Sequence, residues 1–106
     1  MAKITRGSGN VFADLGFADA EERQTKVRLA VAINNIIEER HLSQVEAAEV
    51  LKINQPKISA LSHFKLEGFS VERLMTYLTA LDRDVSIVIK KKPRSRASAR
   101  ISVIAA

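Results

Sequence analysis

The sequence predicts a mainly α-helical domain of four to five helices with a single β-strand at its C-terminal end. Three observations predict it. Apolar residues recur at helical spacing from Leu29 to Leu81. Ser43, Asn54 and Ser70 each stand where a helix needs an N-cap. A run dense in β-branched residues, Val85-Ser-Ile-Val-Ile-Lys90, follows the last helical stretch.

Residues 1–19 read as an N-terminal arm. Gly7, Gly9 and Gly16 interrupt it, and Val11, Phe12, Leu15 and Phe17 give it an apolar patch. Such a patch docks either on a partner or back onto the chain's own core. Asp19 is the expected N-cap of a first helix, with Glu21 and Glu22 favouring its positive end. That helix is expected from about Ala20 to Arg40. Leu29, Ile33, Ile36, Ile37 and Arg40 form its stripe, widened by Val27, Ala30 and Val31. Arg40 and His41 close it. Ser43-Gln-Val-Glu46 then fits a reciprocal capping box. The short helix it opens is expected to bury Val45, Ala48 and Val50 or Leu51, and to stop near Leu51 or Lys52. Asn54 caps a third helix, where Pro56 is tolerated because a first-turn residue needs no intrahelical N–H. Ile58, Leu61 and Phe64 are its expected apolar side. Lys65 to Phe69, with Gly68, forms a loop. Ser70 caps a fourth helix carrying Val71, Leu74, Met75, Leu78 and Leu81 on one face.

Asp82-Arg83-Asp84 ends the helical pattern, and Pro93 ends the strand. A lone strand cannot satisfy its own backbone groups. The simplest second strand is that of another copy, giving a two-fold antiparallel pair through Val85, Ile87, Val88 and Ile89. The expected organisation is therefore an arm at 1–19, a helical domain at 20–81, a dimerisation strand at 82–92 and a disordered basic tail at 93–106.

The 106 residues carry 17 Lys plus Arg against 12 Asp plus Glu, a net charge of +5. This charge is not evenly spread. Residues 1–89 balance 11 basic against 12 acidic groups, whereas 90–106 hold six basic residues and no acid. A nearly neutral body thus carries a cationic tail, attractive to polyanions or simply solvated. The absence of Cys excludes disulfides, thiolate catalysis and Cys-ligated metal. No apolar run approaches the roughly 18 residues a membrane span requires, and Met1–Asn10 lacks a signal pattern, so the expected location is cytoplasmic.

The informative segment is Leu42 to Leu61. Two short helices meet across a tight turn at Lys52-Ile53. Ala48 is small enough for their close crossing, and Val45, Leu51, Ile53, Ile58 and Leu61 act as apolar pins. This is the pattern of a helix-turn-helix unit, whose second helix enters the DNA major groove. The residues expected to face DNA are Gln44, Asn54, Gln55, Pro56, Lys57, Ser59, Ala60, Ser62, His63 and Lys65. Gln bonds adenine bidentately, Lys bonds guanine or phosphate, and Ala and Pro pack on a thymine methyl. Gln44 can aim its amide at a phosphate. No acid occurs from Asn54 through Lys65.

Leu42, Ser43, Gln44, Ala48, Leu51, Ile53, Gln55, Ile58 and Ser59 match the motif Leu-(Ser/Thr)-Gln-x-x-(Leu/Ala)-Ala-x-x-Leu-x-(Ile/Val)-x-Gln-x-x-(Ile/Val)-Ser. In this the chain resembles the Xre/Cro-type helix-turn-helix family, which implies a lambda-repressor-like domain and a dimer on a pseudo-palindromic double-stranded operator. More narrowly, Gly9-Asn-Val-Phe-Ala-Asp-Leu-Gly16, the loop at Phe69-Ser70 and the segment after Asp82-Arg83-Asp84 resemble HigA-like antitoxins of that family. The resemblance spans about residues 9–91. It implies an antitoxin that represses its own operon and binds a RelE/HigB-like RNase toxin, with the arm and first helix as the toxin-facing surfaces. A solitary regulator and a protein-interaction module that no longer reads DNA are the alternatives. Ala60 stands where such repressors often carry Arg or Gln, which leaves more of the reading to Gln55, Lys57 and DNA shape.

Enzymatic readings find little support. His41 and His63 lie far from any ligand set, and Glu38, Glu39, Glu46 and Glu49 read as solvated helix faces. The glycines form no phosphate loop, and no Gly-x-Ser-x-Gly elbow occurs. No cofactor is expected.

Overall fold

The structure, a computed structural model, describes residues 17–105 in backbone and 20–105 in side chain. Of the arm expected at residues 1–19, residues 1–16 lie outside the described residues, and 17–19 belong to the first helix. Four helices follow one another: α1 (Phe17–Glu39), α2 (Gln44–Leu51), α3 (Gln55–Ser62) and α4 (Val71–Ala80). α1 already runs through residues 17–19, so Asp19 lies within the helix and is not its cap. Nothing in Phe17-Ala18 opposes helix, and the charge of Glu21 and Glu22 therefore falls in the second turn instead of the first.

The other three starts follow the cap chemistry. The Ser43 hydroxyl accepts from the Glu46 amide at 3.1 Å, and the Ser43 amide donates to Glu46 Oε1 at 2.8 Å. Asn54 Oδ1 accepts from the Lys57 amide at 2.9 Å, and Ser70 Oγ from the Arg73 amide at 3.0 Å. Each bond satisfies an amide that the helix itself leaves without a partner.

All four helices end on a residue in the left-handed region, and none of the four is glycine: His41, Lys52, Phe64 and Asp82 have φ between 54° and 64°. After each, the next amide turns back to a carbonyl five residues earlier: Leu42 to Ile37, Ile53 to Ala48, Lys65 to Ala60 and Arg83 to Leu78. These are Schellman-type closures. Phe64, expected on the apolar side of α3, is one of these closing residues and is 44% exposed.

α1 packs most extensively on α4 and also touches α3, while α2 packs on α3 and reaches α4. Leu29, Ala30, Ile33 and Ile36 of α1 meet Leu51, Ile58, Leu61, Leu74, Leu78 and Leu81 in one core. The 63–70 connection contributes Leu66 and Phe69, both buried. Tyr77 is buried too, edge-on to Phe69 with centroids 6.1 Å apart. Val45 departs from expectation at 52% exposed, because Ala47, Ala48 and Leu51 define the buried side of α2 and Val45 points away from it. Val27 and Val31 are likewise exposed, since the stripe of α1 centres on Ala30 and Ile33.

Beyond Leu81 the chain has no regular secondary structure, and among the described residues no strand forms. The amides of 84–95 meet no backbone carbonyl there. Ile87, Val88 and Ile89 are 75–93% exposed. The tail then turns at Pro93–Arg96 and returns to α1, where the Ile101 amide donates to Glu21 Oε2 at 3.1 Å and Val103 packs on the core. The C-terminal ends of α1 and α4 are held together by Arg83–Glu39 at 3.6 Å and by the Arg40 guanidinium at 3.5 Å from the Leu81 carbonyl.

Candidate nucleic-acid interface

The turn between α2 and α3 comes first, because it sets their mutual angle. Lys52 takes the left-handed conformation and its amide caps Ala48, and Ile53 half-buries against the core. The chain is thereby reversed within three residues. Asn54 then adopts an extended conformation, and α3 begins with Pro at its first turn. Ile58 and Leu61 turn inward. This leaves Gln55, Pro56 and Lys57 exposed at the N-terminal end of α3, Ser59 and Ala60 half-exposed, and Ser62 and His63 exposed at its far end.

Of the residues predicted from sequence, Asn54, Pro56, Lys57, Ala60 and Lys65 line one shallow depression, and the predicted residues differ in freedom. Asn54 spends its side-chain oxygen on the cap, and among the described residues its amide nitrogen makes no hydrogen bond. Ser62 Oγ donates to the Ser59 carbonyl at 2.8 Å, and His63 Nδ1 lies 2.8 Å from the same oxygen. These two side chains fold back on their own helix end. Lys57 Nζ donates to the Gly68 carbonyl at 3.2 Å and lies 4.9 Å from the centroid of the Phe69 ring. Gln44, the first residue of α2, is exposed and makes no side-chain hydrogen bond among the described residues.

Asn34 is a residue whose part the sequence pattern misses. Its side-chain amide donates to the Leu61 carbonyl at 3.1 Å and ties α1 to the last turn of α3. The signal available was a polar residue beside the Ile33 and Ile37 positions of an apolar stripe. α3 is therefore pinned at both ends, by Asn34 at one and by Lys57 at the other.

Among the described residues no group of three His, Asp or Glu is placed to hold a metal ion. No helix there is long and apolar enough to cross a membrane. What α3 presents is a short, carboxylate-free row of donors, acceptors and small side chains, suited to base edges and phosphates.

Comparison with known proteins agrees with this geometry. A family model described as a helix-turn-helix domain matches residues 11–90. A solved structure named "Putative XRE Family Transcriptional Regulator" is 72% identical, with a TM-score of 0.81, and the match covers 83% of this chain and 99% of that one. No curated protein matches the chain. With a two-helix unit of this geometry and relatives of this kind, the chain belongs to the XRE family of helix-turn-helix transcriptional regulators.

Proposed function

We propose that the protein binds a pseudo-palindromic DNA operator in sequence-specific fashion, as a homodimer, and represses transcription there. The observation that carries this reading is the acid-free α3, exposed along one side and tied to α1 at one end and to the 65–69 loop at the other. Gln55 is the principal base-reading side chain, supported by contacts of Pro56, Ser59 and Ala60 with base edges. Gln44, Asn54, Ser62, His63 and Lys65 serve the backbone and the rim of the site, and Lys57 is available to either. Lys90 to Arg100 add sequence-independent attraction to phosphates. Action on chromosomal DNA implies a cytoplasmic protein.

Pairing of two copies through Val85–Ile89 supplies the dimer. Its support is the row of exposed apolar side chains and unpaired amides at this segment. The regulator is further proposed to be the antitoxin of a type II toxin–antitoxin pair, neutralising a RelE/HigB-like RNase. The support is the resemblance of residues 9–16, the Phe69-Ser70 loop and the segment after Asp84 to HigA-like proteins.

The test is a mobility shift with the DNA upstream of the protein's own gene. The wild type is expected to retard a discrete fragment, and Gln55→Ala to weaken that complex by roughly tenfold or more, the discrimination of one good bidentate contact. Unaltered retardation by the variant refutes the groove-reading role of α3. Co-expression with the adjacent reading frame tests the antitoxin role. A stable complex with a small basic RNase supports it, and its absence leaves a solitary regulator.

A further inference from the structure

Lys57 is the one cation on α3, and its ammonium does not project along the helix toward a groove. It turns sideways to the 65–69 loop, donating to the Gly68 carbonyl at 3.2 Å with the Phe69 ring at 4.9 Å. Phe69 is buried and stands edge-on to Tyr77 of α4, so Lys57 joins the first turn of α3 to the core through an aromatic pair. Between helix and loop lies a shallow depression of about 310 Å³, lined by Asn54, Pro56, Lys57, Ala60, Lys65 and Gly68, with Phe69 as its floor. Lys65 comes to its rim because its amide closes α3 on the Ala60 carbonyl at 2.9 Å. Two ammonium-bearing side chains therefore border one hollow. The single carboxylate of the loop, Glu67, is exposed and does not line it.

We propose that Lys57 and Lys65 form a seat for one backbone phosphate of the bound duplex, and that Lys57 is a positioning and phosphate-contacting residue instead of a base-reading one. This deepens the DNA-binding reading and rests on it. An ammonium has three donors. One is committed to Gly68, and the ring face holds the charge from another side, which leaves a donor for an oxygen entering the depression. Reaching a guanine edge would require leaving both partners. A phosphate beside α3 requires leaving neither, and fixes the register in which Gln55 meets the bases.

The experiment starts from a pool of random 30-base-pair duplexes. Wild-type protein is used to select a preferred sequence, and affinities for that sequence and for unselected DNA are measured across a salt series. Lys57→Gln and Lys65→Gln are expected to weaken both affinities by the same factor, several-fold each, leaving the preference ratio and the selected sequence unchanged. The double variant is expected to lower the slope of log K against log salt by about 0.9, the value for one phosphate surrendered. Lys57→Arg is expected to restore slope and affinity together. A changed base preference in Lys57→Gln would overturn the inference in favour of base reading. An unchanged salt slope in the double variant would overturn it in favour of a purely structural tether. Melting temperatures of all variants identify loss of folding, and should Lys57→Gln fail to fold, Lys65→Gln and Lys57→Arg decide the question. If the wild type selects no sequence at all, the DNA-binding reading itself fails, an outcome distinct from either of the others.

Discussion

Tyr77 shows how much one residue's surroundings matter in a core this small. Its ring is buried and packs edge-on against Phe69 at an interplanar angle of 82°. Such pairs contribute about 0.5–1.5 kcal/mol beyond their buried area. Burial pushes the phenol pKa above its ordinary 10.0, opposed in part by the charge of Arg73 and by a side-chain hydrogen bond to it. The folded state therefore prefers the neutral phenol. The stability linked to it is fully present below pH 10 and is lost as pH rises through the folded value. Urea unfolding midpoints measured from pH 7 to pH 11 are expected to fall less steeply above pH 10 in Tyr77→Phe than in the wild type. Parallel alkaline losses in the two proteins would contradict this. The sequence made Ser43, Asn54 and Ser70 legible as caps, because their chemistry acts within three residues. It did not reveal Asn34, whose partner carbonyl belongs to Leu61, 27 positions away.

The starts of α2, α3 and α4 carry a capping side chain that marks them, whereas none of the four helix ends carries a glycine. Glycine is the usual marker of a left-handed closing residue, and here His41, Lys52, Phe64 and Asp82 fill that role. Left-handed geometry costs an L residue about 1–2 kcal/mol, so each closure persists because the packing around it favours the reversal. With no glycine to mark it, the apolar pattern of α3 runs on to Phe64, whereas the helix stops at Ser62. Lys52 sits in the turn that orients α3, and its side chain is exposed. Lys52→Gly is expected to stabilise the domain by about 0.5–1 kcal/mol, the relief of strain less the greater chain entropy of glycine. A β-branched Lys52→Val should act in the opposite direction. Chemical denaturation checks both, and a destabilised glycine variant would show that the turn carries no strain. Val45 falls on the exposed side of α2, and eight residues offer too few turns for periodicity alone to fix which side faces inward.

The molecule as a whole has one helical core and a long C-terminal excursion that the core only partly explains. The β-branched content of Val85–Ile89 predicts a strand, and among the described residues none forms. Strand pairing is a property of two segments, and one chain provides only the first. Ile87→Pro removes the Ile87 amide from both halves of a two-fold ladder. At about 0.5–1.5 kcal/mol for each lost hydrogen bond, self-association is expected to weaken by roughly tenfold or more. Sedimentation across a concentration series measures this, and an unchanged dimer would place the contact elsewhere. The tail's return to Glu21 was not legible either, since a contact across 80 positions between an amide and a carboxylate leaves no local pattern. The latch between Asn34 and the last turn of α3 has a thermodynamic corollary. A probe already immobilised in the free protein surrenders little motional freedom on docking. Complex formation should then proceed nearly as rigid-body docking, with a heat-capacity change that reflects the area covered and no contribution from newly ordered helix.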